Sequence, residues 1–306
     1  MTQNDVKKPK SSWKSRLGWL VWGVVIFFLV KVGKDRAQEV AGIKITSQGW
    51  IYLAIAFGFT LLAHIWSGLV WGKILRYFQQ PLPYSWLLRV YLKTNIAKYL
   101  PGNIWHYYGR ISAIQEAGGT LEVATFSVLL EPLLMAAAAI IIALSGNNSV
   151  NRVWQILSLL GVILAVHPRV LNPLMQLLAK FKGKADASLK LQSYPVLPLL
   201  GEMGFVGLRG TGFVFALLAF TAIIPSQIPQ ILSGFSWAWL LGLIIPGAPG
   251  GIGVFEATAI AILQPLFSPG LLLSVVAIFR VVSLLAEVVA AGLAVVGDVG
   301  LRISKE

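Results

Sequence analysis

The chain of 306 residues contains no cysteine, which excludes disulfides, thiolate nucleophiles and cysteine-ligated metals. Charge is scarce as well. Only 12% of the residues are charged, against roughly 25% in a soluble domain, too few to cover a water-facing surface. The three histidines, His64, His106 and His167, are scattered, with no HExxH pattern or His–carboxylate triad, so no metal is expected. No Lys or Arg occurs between 210 and 279.

What is present is apolar. Hydrophobic residues make up 57% of the chain, and 34 are aromatic, which excludes disorder. The composition predicts an all-α, polytopic integral membrane protein. Basic residues number 25 against 12 acidic, a formal charge of +13. In a membrane protein that excess sets orientation and contacts anionic lipid head groups; nucleic acid is not an expected partner.

Residues 1–16 form a basic tail, with Lys7, Lys8, Lys10, Lys14 and Arg16. The apolar run 17–30 has the length of a signal peptide but lacks a small-residue cleavage site, so it is taken as an uncleaved first helix. Further crossings are expected at 45–72, 123–144, 151–166, 203–224 and 271–296. Two other apolar stretches, 84–116 and 235–264, are broken at Leu100-Pro101-Gly102-Asn103 and at Pro246-Gly247-Ala248-Pro249-Gly250-Gly251. Proline lacks an amide proton and glycine weakens a helix, so each stretch is expected to be a re-entrant hairpin.

With the N-terminus in the cytoplasm, the inside segments hold 19 Lys/Arg and the outside segments 5. The expected product is one cell-membrane domain over 17–296, six crossings and two hairpins, with a tail at 297–306 and both termini cytoplasmic. Segments 45–144 and 203–296 then have the same element order in opposite orientation, an inverted repeat. Transporters place substrate between such units, at broken helices.

The charged residues inside apolar segments are the candidate machinery. Arg280 and Glu287, seven apart, share a helix face. Glu131 stands 29 residues after Gly102, and Arg280 stands 30 after Gly250. The two are thus expected at matching depth, Arg280 resting on Glu131 when no lipid phosphate is bound. A structural ion pair is the plainer role for these charges. Glycines 250, 251 and 253 suit a half-helix N-terminus, whose amides attract an anion; Glu256 either stabilises that terminus or takes part in coupling. The run is no nucleotide loop, since no βαβ pattern or Lys-Ser/Thr follows, and no cofactor is expected. Arg89, Lys93, Lys98 and Arg110, interleaved with Tyr91, Tyr99, Trp105, Tyr107 and Tyr108, suit an anionic head group or, for the first three, interfacial anchoring. Gly68-x-x-x-Gly72 reads as close helix packing. Asn147-Asn148-Ser149 reads as a turn, and Lys180, Lys182, Lys184 and Lys190 as a solvated loop.

The segment Lys98-Tyr99-Leu100-Pro101-Gly102-Asn103-Ile104-Trp105-His106, with Gly109-Arg110, resembles the first signature of the lysylphosphatidylglycerol synthase transmembrane-region family. Pro249-Gly250-Gly251-Ile252-Gly253-Val254-Phe255-Glu256-Ala257 resembles its second. Glu131 and Phe279-Arg280 match two further positions, while Glu131-Pro132-Leu133 departs from the family's Glu-Arg-Leu. The resemblance implies a flippase-like membrane domain, which in multidomain relatives moves an aminoacylated lipid made by a separate synthase domain. This chain leaves no room for a synthase domain, so catalysis is not expected. The site residues that follow are Asn103, His106, Arg110, Glu131, Gly250, Gly251, Glu256 and Arg280. The expected partners are membrane lipids with anionic head groups. Two rivals remain: a lipid-modifying transferase using Glu131, Glu256 or Glu287 as base, and an accessory protein of a membrane enzyme.

Overall fold

The computed structural model describes residues 45–100, 104–146, 152–181, 190–245 and 253–303. The expected first helix at 17–30, the basic tail and the Asn147-Asn148-Ser149 turn lie outside the described residues. Every regular element among those described is helical. In chain order they are α1 (Ser47–Tyr77), α2 (Tyr84–Asn95), a 3-10 turn (Ile96–Tyr99), α3 (Trp105–Glu116), α4 (Leu121–Ser145), α5 (Arg152–Ala165), α6 (Pro168–Phe181), α7 (Val196–Leu218), a short 3-10 turn (Pro225–Gln227), α8 (Ile228–Ile244), α9 (Val254–Leu263) and α10 (Pro269–Ile303).

The ends of these helices are written in the sequence. Thr46 caps α1 by accepting from the Gly49 amide at 3.1 Å, and Thr120 caps α4 by accepting from the Val123 amide at 3.2 Å. At α9, Gly253 has a φ of 87°, a conformation that costs glycine little and other residues much. Glu256 reaches back to accept from the Gly253 amide at 2.7 Å, closing the first turn.

Three of the described helices, α1, α4 and α10 as far as Gly297, are long and apolar enough to cross a membrane. Helix α7 has 23 residues, about 34 Å at 1.5 Å per residue, but carries Glu202 and Arg209. It starts at Val196, seven residues before the expected 203. The crossing expected at 151–166 is α5, whose 14 residues reach only about 21 Å. It continues after a 61° bend into α6, where a loop was expected, and the bent pair qualifies together as one apolar span. The lysine loop therefore begins later: Lys180 belongs to α6, Lys190 is exposed, and Lys182 and Lys184 lie outside the described residues.

Both broken stretches are helix pairs, α2/α3 and α8/α9. A long helix, a broken pair and a long helix thus occur twice, as α1–α4 and as α7–α10. Helices α7, α9 and α10 begin 149, 149 and 148 positions after α1, α3 and α4, at 196 against 47, 254 against 105 and 269 against 121.

Packing interlocks the two series. Helix α1 runs against α7; α4 packs on α7 and α8, and, reciprocally, α10 packs on α1 and α2. Phe213, Phe235, Phe255 and Phe279, one each from α7 to α10, meet mostly edge to face, with Phe213 and Phe279 centroids 5.4 Å apart. The Gly68/Gly72 face of α1 admits α2: a Cβ at Gly68 would stand 2.9 Å from Leu88, and one at Gly72 2.8 Å from Tyr84. At the end of α4 the approach is tighter. A Cβ on Gly146 would lie 2.1 Å from the Pro229 carbonyl oxygen, and Ser233 donates to the Ala143 carbonyl beside it. Backbone cannot step aside as a side chain can. Gly146→Ala is therefore expected to cost about 1–3 kcal/mol, read as a lower melting temperature, whereas Gly58→Ala, which faces open space, should cost nothing measurable.

Candidate functional site

A cavity of about 150 Å³ opens where the two series meet, and both broken pairs contribute to its wall. It is lined by His64 of α1, Tyr91 and Asn95 of α2, and Lys98 and Tyr99 of the 3-10 turn. His106, Tyr107 and Arg110 of α3 and Glu131, Pro132 and Met135 of α4 complete the first series' share. The second series supplies Phe205, Arg209, Trp239, Gly242, Leu243, Phe255, Phe279, Arg280, Ser283 and Glu287.

Among the described residues, three ion pairs organise the charges of the cavity. Arg110 and Glu131, both 2% exposed, are hydrogen-bonded to each other through Nη1 and Oε2. The guanidinium lies 3.8 Å over the Tyr91 ring, whose hydroxyl shares a 2.6 Å hydrogen bond with Ser67. In the second series, Arg280 Nε donates to Glu256 Oε1 at 3.1 Å and its guanidinium lies 4.9 Å over Phe255. The third pair joins the series: Lys98 Nζ reaches Glu287 Oε1 at 2.8 Å, and His64 Nε2 lies 3.3 Å from the same oxygen. Charges this deep in an apolar protein are costly unless matched, and the matching explains how they persist.

The expected contact between Arg280 and Glu131 is not made. Each residue pairs within its own series, Glu131 with Arg110 of α3 and Arg280 with Glu256 of α9. The reason is connectivity: the short helix after each break lies beside the long helix that follows it, and supplies the opposite charge. The polarity is reversed between the series. The short helix brings the arginine in the first and the carboxylate in the second.

Of the residues singled out in the sequence, His106, Arg110, Glu131 and Arg280 line the cavity, and Glu256 stands behind Arg280. Glu256 stabilises the α9 terminus as expected, one oxygen accepting from the Gly253 amide, while the other accepts from Arg280. Asn103, Gly250 and Gly251 lie outside the described residues. The basic and aromatic cluster divides. Lys98, Arg110, Tyr91, Tyr99 and Tyr107 line the cavity; Arg89 and Lys93 do not, and Trp105 and Tyr108 are exposed. Arg280 and Glu287 share the cavity wall, as their spacing requires.

Sequence reasoning missed Arg209, His64 and Glu202. A crossing that begins at 203 leaves Arg209 close to its start, whereas the helix begins at Val196 and sets the arginine in its interior. The available signal was a Glu and an Arg seven apart in one apolar segment, the pattern that did mark Arg280 and Glu287. Glu202 is fully buried, and neither of its carboxyl oxygens has a hydrogen-bond partner among the described residues. No group of three or more His, Asp or Glu among the described residues is arranged to hold a metal.

No protein-family model matches the chain, and no curated protein is significantly similar to it.

Proposed function

We propose that this is a membrane transporter of the flippase type, which takes an anionic phospholipid or lipid-linked intermediate into the cavity between two inverted half-units and releases it on the other side. One observation carries the reading. Six pairs of cavity residues are displaced from one another by 148 positions: Tyr91/Trp239, Asn95/Leu243, Tyr107/Phe255, Glu131/Phe279, Pro132/Arg280 and Met135/Ser283. That displacement is the one relating the starts of α4 and α10, and it supports two structurally equivalent halves facing each other across the site. The reciprocal packing of α4 on α7/α8 and of α10 on α1/α2 is what a pseudo-two-fold axis produces. In an inverted repeat such an axis lies in the membrane plane, with the substrate site on it at the broken helices. The resemblance of the two break motifs to the lysylphosphatidylglycerol synthase transmembrane-region family supports a lipid as the substrate. On this reading both termini are cytoplasmic in the cell membrane.

The function is tested in vesicles carrying a trace of fluorescent phosphatidylglycerol. An impermeant quencher added outside reaches only the outer leaflet. Reconstituted protein should render the inner-leaflet fraction quenchable within minutes, and vesicles in which that fraction stays protected would refute transport. The opposed orientation has its own test, simplified by the absence of native cysteine. Cysteine at Ser226, before α8, should react with an impermeant reagent on intact cells, while cysteine at Gln79, before α2, should react only after permeabilisation; both positions are exposed. Reaction of both from the same side removes the inverted repeat.

A further inference from the structure

We propose that Arg209, with Ser283, is the anion seat of the cavity, and that it selects a singly charged phosphodiester over a diphosphate. This rests on the lipid-binding reading above and narrows its substrate class. Among the described residues, four cationic side chains line the cavity: Lys98, Arg110, Arg209 and Arg280. Three of them meet a carboxylate, respectively Glu287, Glu131 and Glu256. Arg209 meets none among the described residues. Its Nη1 donates to Ser283 Oγ at 3.2 Å, its Nε has no hydrogen-bond partner, and the Phe279 ring centroid lies 5.3 Å from the guanidinium carbon. Glu202, the remaining buried carboxyl, does not line the cavity and forms no ion pair with Arg209.

Arg209 is nonetheless only 8% exposed. A guanidinium does not shed its proton in a protein, so the charge is permanent, and in an apolar site it calls for a counter-charge. Its planar fork of donors fits two oxygens of one phosphate. The Ser283 hydroxyl is already at hydrogen-bond distance and can turn its proton to the same group. The other three cations are each held by their own carboxylate, so the cavity balances one incoming negative charge. An ionised phosphodiester brings one. A diphosphate brings more, and its extra charge must displace Glu131, Glu256 or Glu287 from its partner.

The test uses the purified full chain in neutral detergent, with three probes: dihexanoyl phosphatidylglycerol, its deacylated counterpart glycerophosphoglycerol, and farnesyl diphosphate. Binding is followed by a competition-controlled fluorescence titration, since Trp239 lines the site. Wild type should bind the short-chain phosphodiester lipid more tightly than the diphosphate. Arg209→Gln should lose on the order of tenfold or more of that affinity, as removal of a charged hydrogen-bonding group does, and Arg209→Lys should retain part of it. Ser283→Ala, which leaves the charge in place, should weaken binding several-fold.

A second readout separates a seat from a structural arginine. Without ligand, Arg209→Gln removes a buried charge that touches no carboxylate among the described residues, so the lipid-free protein should melt at or above the wild-type temperature. Wild-type affinity in Arg209→Gln, a lower melting temperature with unchanged affinity, or tighter binding of farnesyl diphosphate would each overturn the proposal. Equal binding of glycerophosphoglycerol would support the seat while refuting a lipid as its occupant. Phosphodiester binding lost in Arg209→Gln but with no lipid movement in vesicles would likewise sustain the seat and refute transport.

Discussion

Glu287→Gln is expected to be the most damaging single substitution in the chain. The carboxylate is 3% exposed, and one of its oxygens faces both Lys98 at 2.8 Å and His64 at 3.3 Å. Removing one member of a buried ion pair costs about 3–5 kcal/mol, because the desolvated partner is left uncompensated. The pair also joins α10 to the 3-10 turn, so its loss should loosen the contact between the two series as well. The measurement is thermal unfolding of the purified variant in detergent. Adding Lys98→Met should restore much of the stability lost, since it removes the stranded cation. A double variant no more stable than Glu287→Gln alone would mean that the pair does not hold the series together.

The pair Arg110–Glu131 should separate stability from function. Glu131→Gln alone removes the carboxylate that Arg110 is hydrogen-bonded to, leaving the buried guanidinium against the Tyr91 and Trp71 rings at 3.8 and 5.6 Å, and should cost about 3–5 kcal/mol. Replacing both, as Arg110→Met with Glu131→Leu, removes two desolvation penalties together with one attraction. Such replacements are often neutral or stabilising, by about 1–4 kcal/mol. The double variant should therefore fold at least as well as wild type. It should nevertheless fail to move fluorescent lipid, because α3 and α4 would no longer present a charge to the cavity. Normal lipid movement in the folded double variant would reduce this pair to architecture.

The amount that could be read from the sequence differs between backbone and side chains. Membrane class, the two broken segments and the long helices α1, α4 and α10 were legible, because apolar runs and Pro-Gly breaks are local signals. So was the placement of Arg110, Glu131 and Arg280 in the cavity wall, since a charge inside an apolar segment stands out wherever its partner is. Partner choice was not legible. Glu131 and Arg280 stand at similar places on corresponding helices, which invites pairing between them. They are one position out of register, however, Glu131 matching Phe279 and Arg280 matching Pro132. Sequence spacing does not decide which turn of each helix faces in. The short helices α3 and α9 were closer and already carried the complementary charges. Arg209 escaped because a helix boundary drawn at a charged residue places the next charge near the surface. Proline and glutamate in the first turns of α7 did not stop it from starting at Val196. The bend between α5 and α6 escaped too, since the apolar run ends at Val166 while the helix resumes at Pro168.

The central claim, that the cavity is the route of the lipid and is reached in turn from both sides, is tested most directly at Met135. This side chain lines the cavity from α4, makes none of the ion pairs, and is 8% exposed. In a chain without other cysteines, Met135→Cys provides a single reporter. A negatively charged, membrane-impermeant thiol reagent is applied to vesicles of uniform orientation, either outside or trapped inside. The account predicts labelling from each face separately, slowed in both cases by saturating short-chain phosphatidylglycerol. Labelling from one face alone, at a rate indifferent to the lipid, would contradict it.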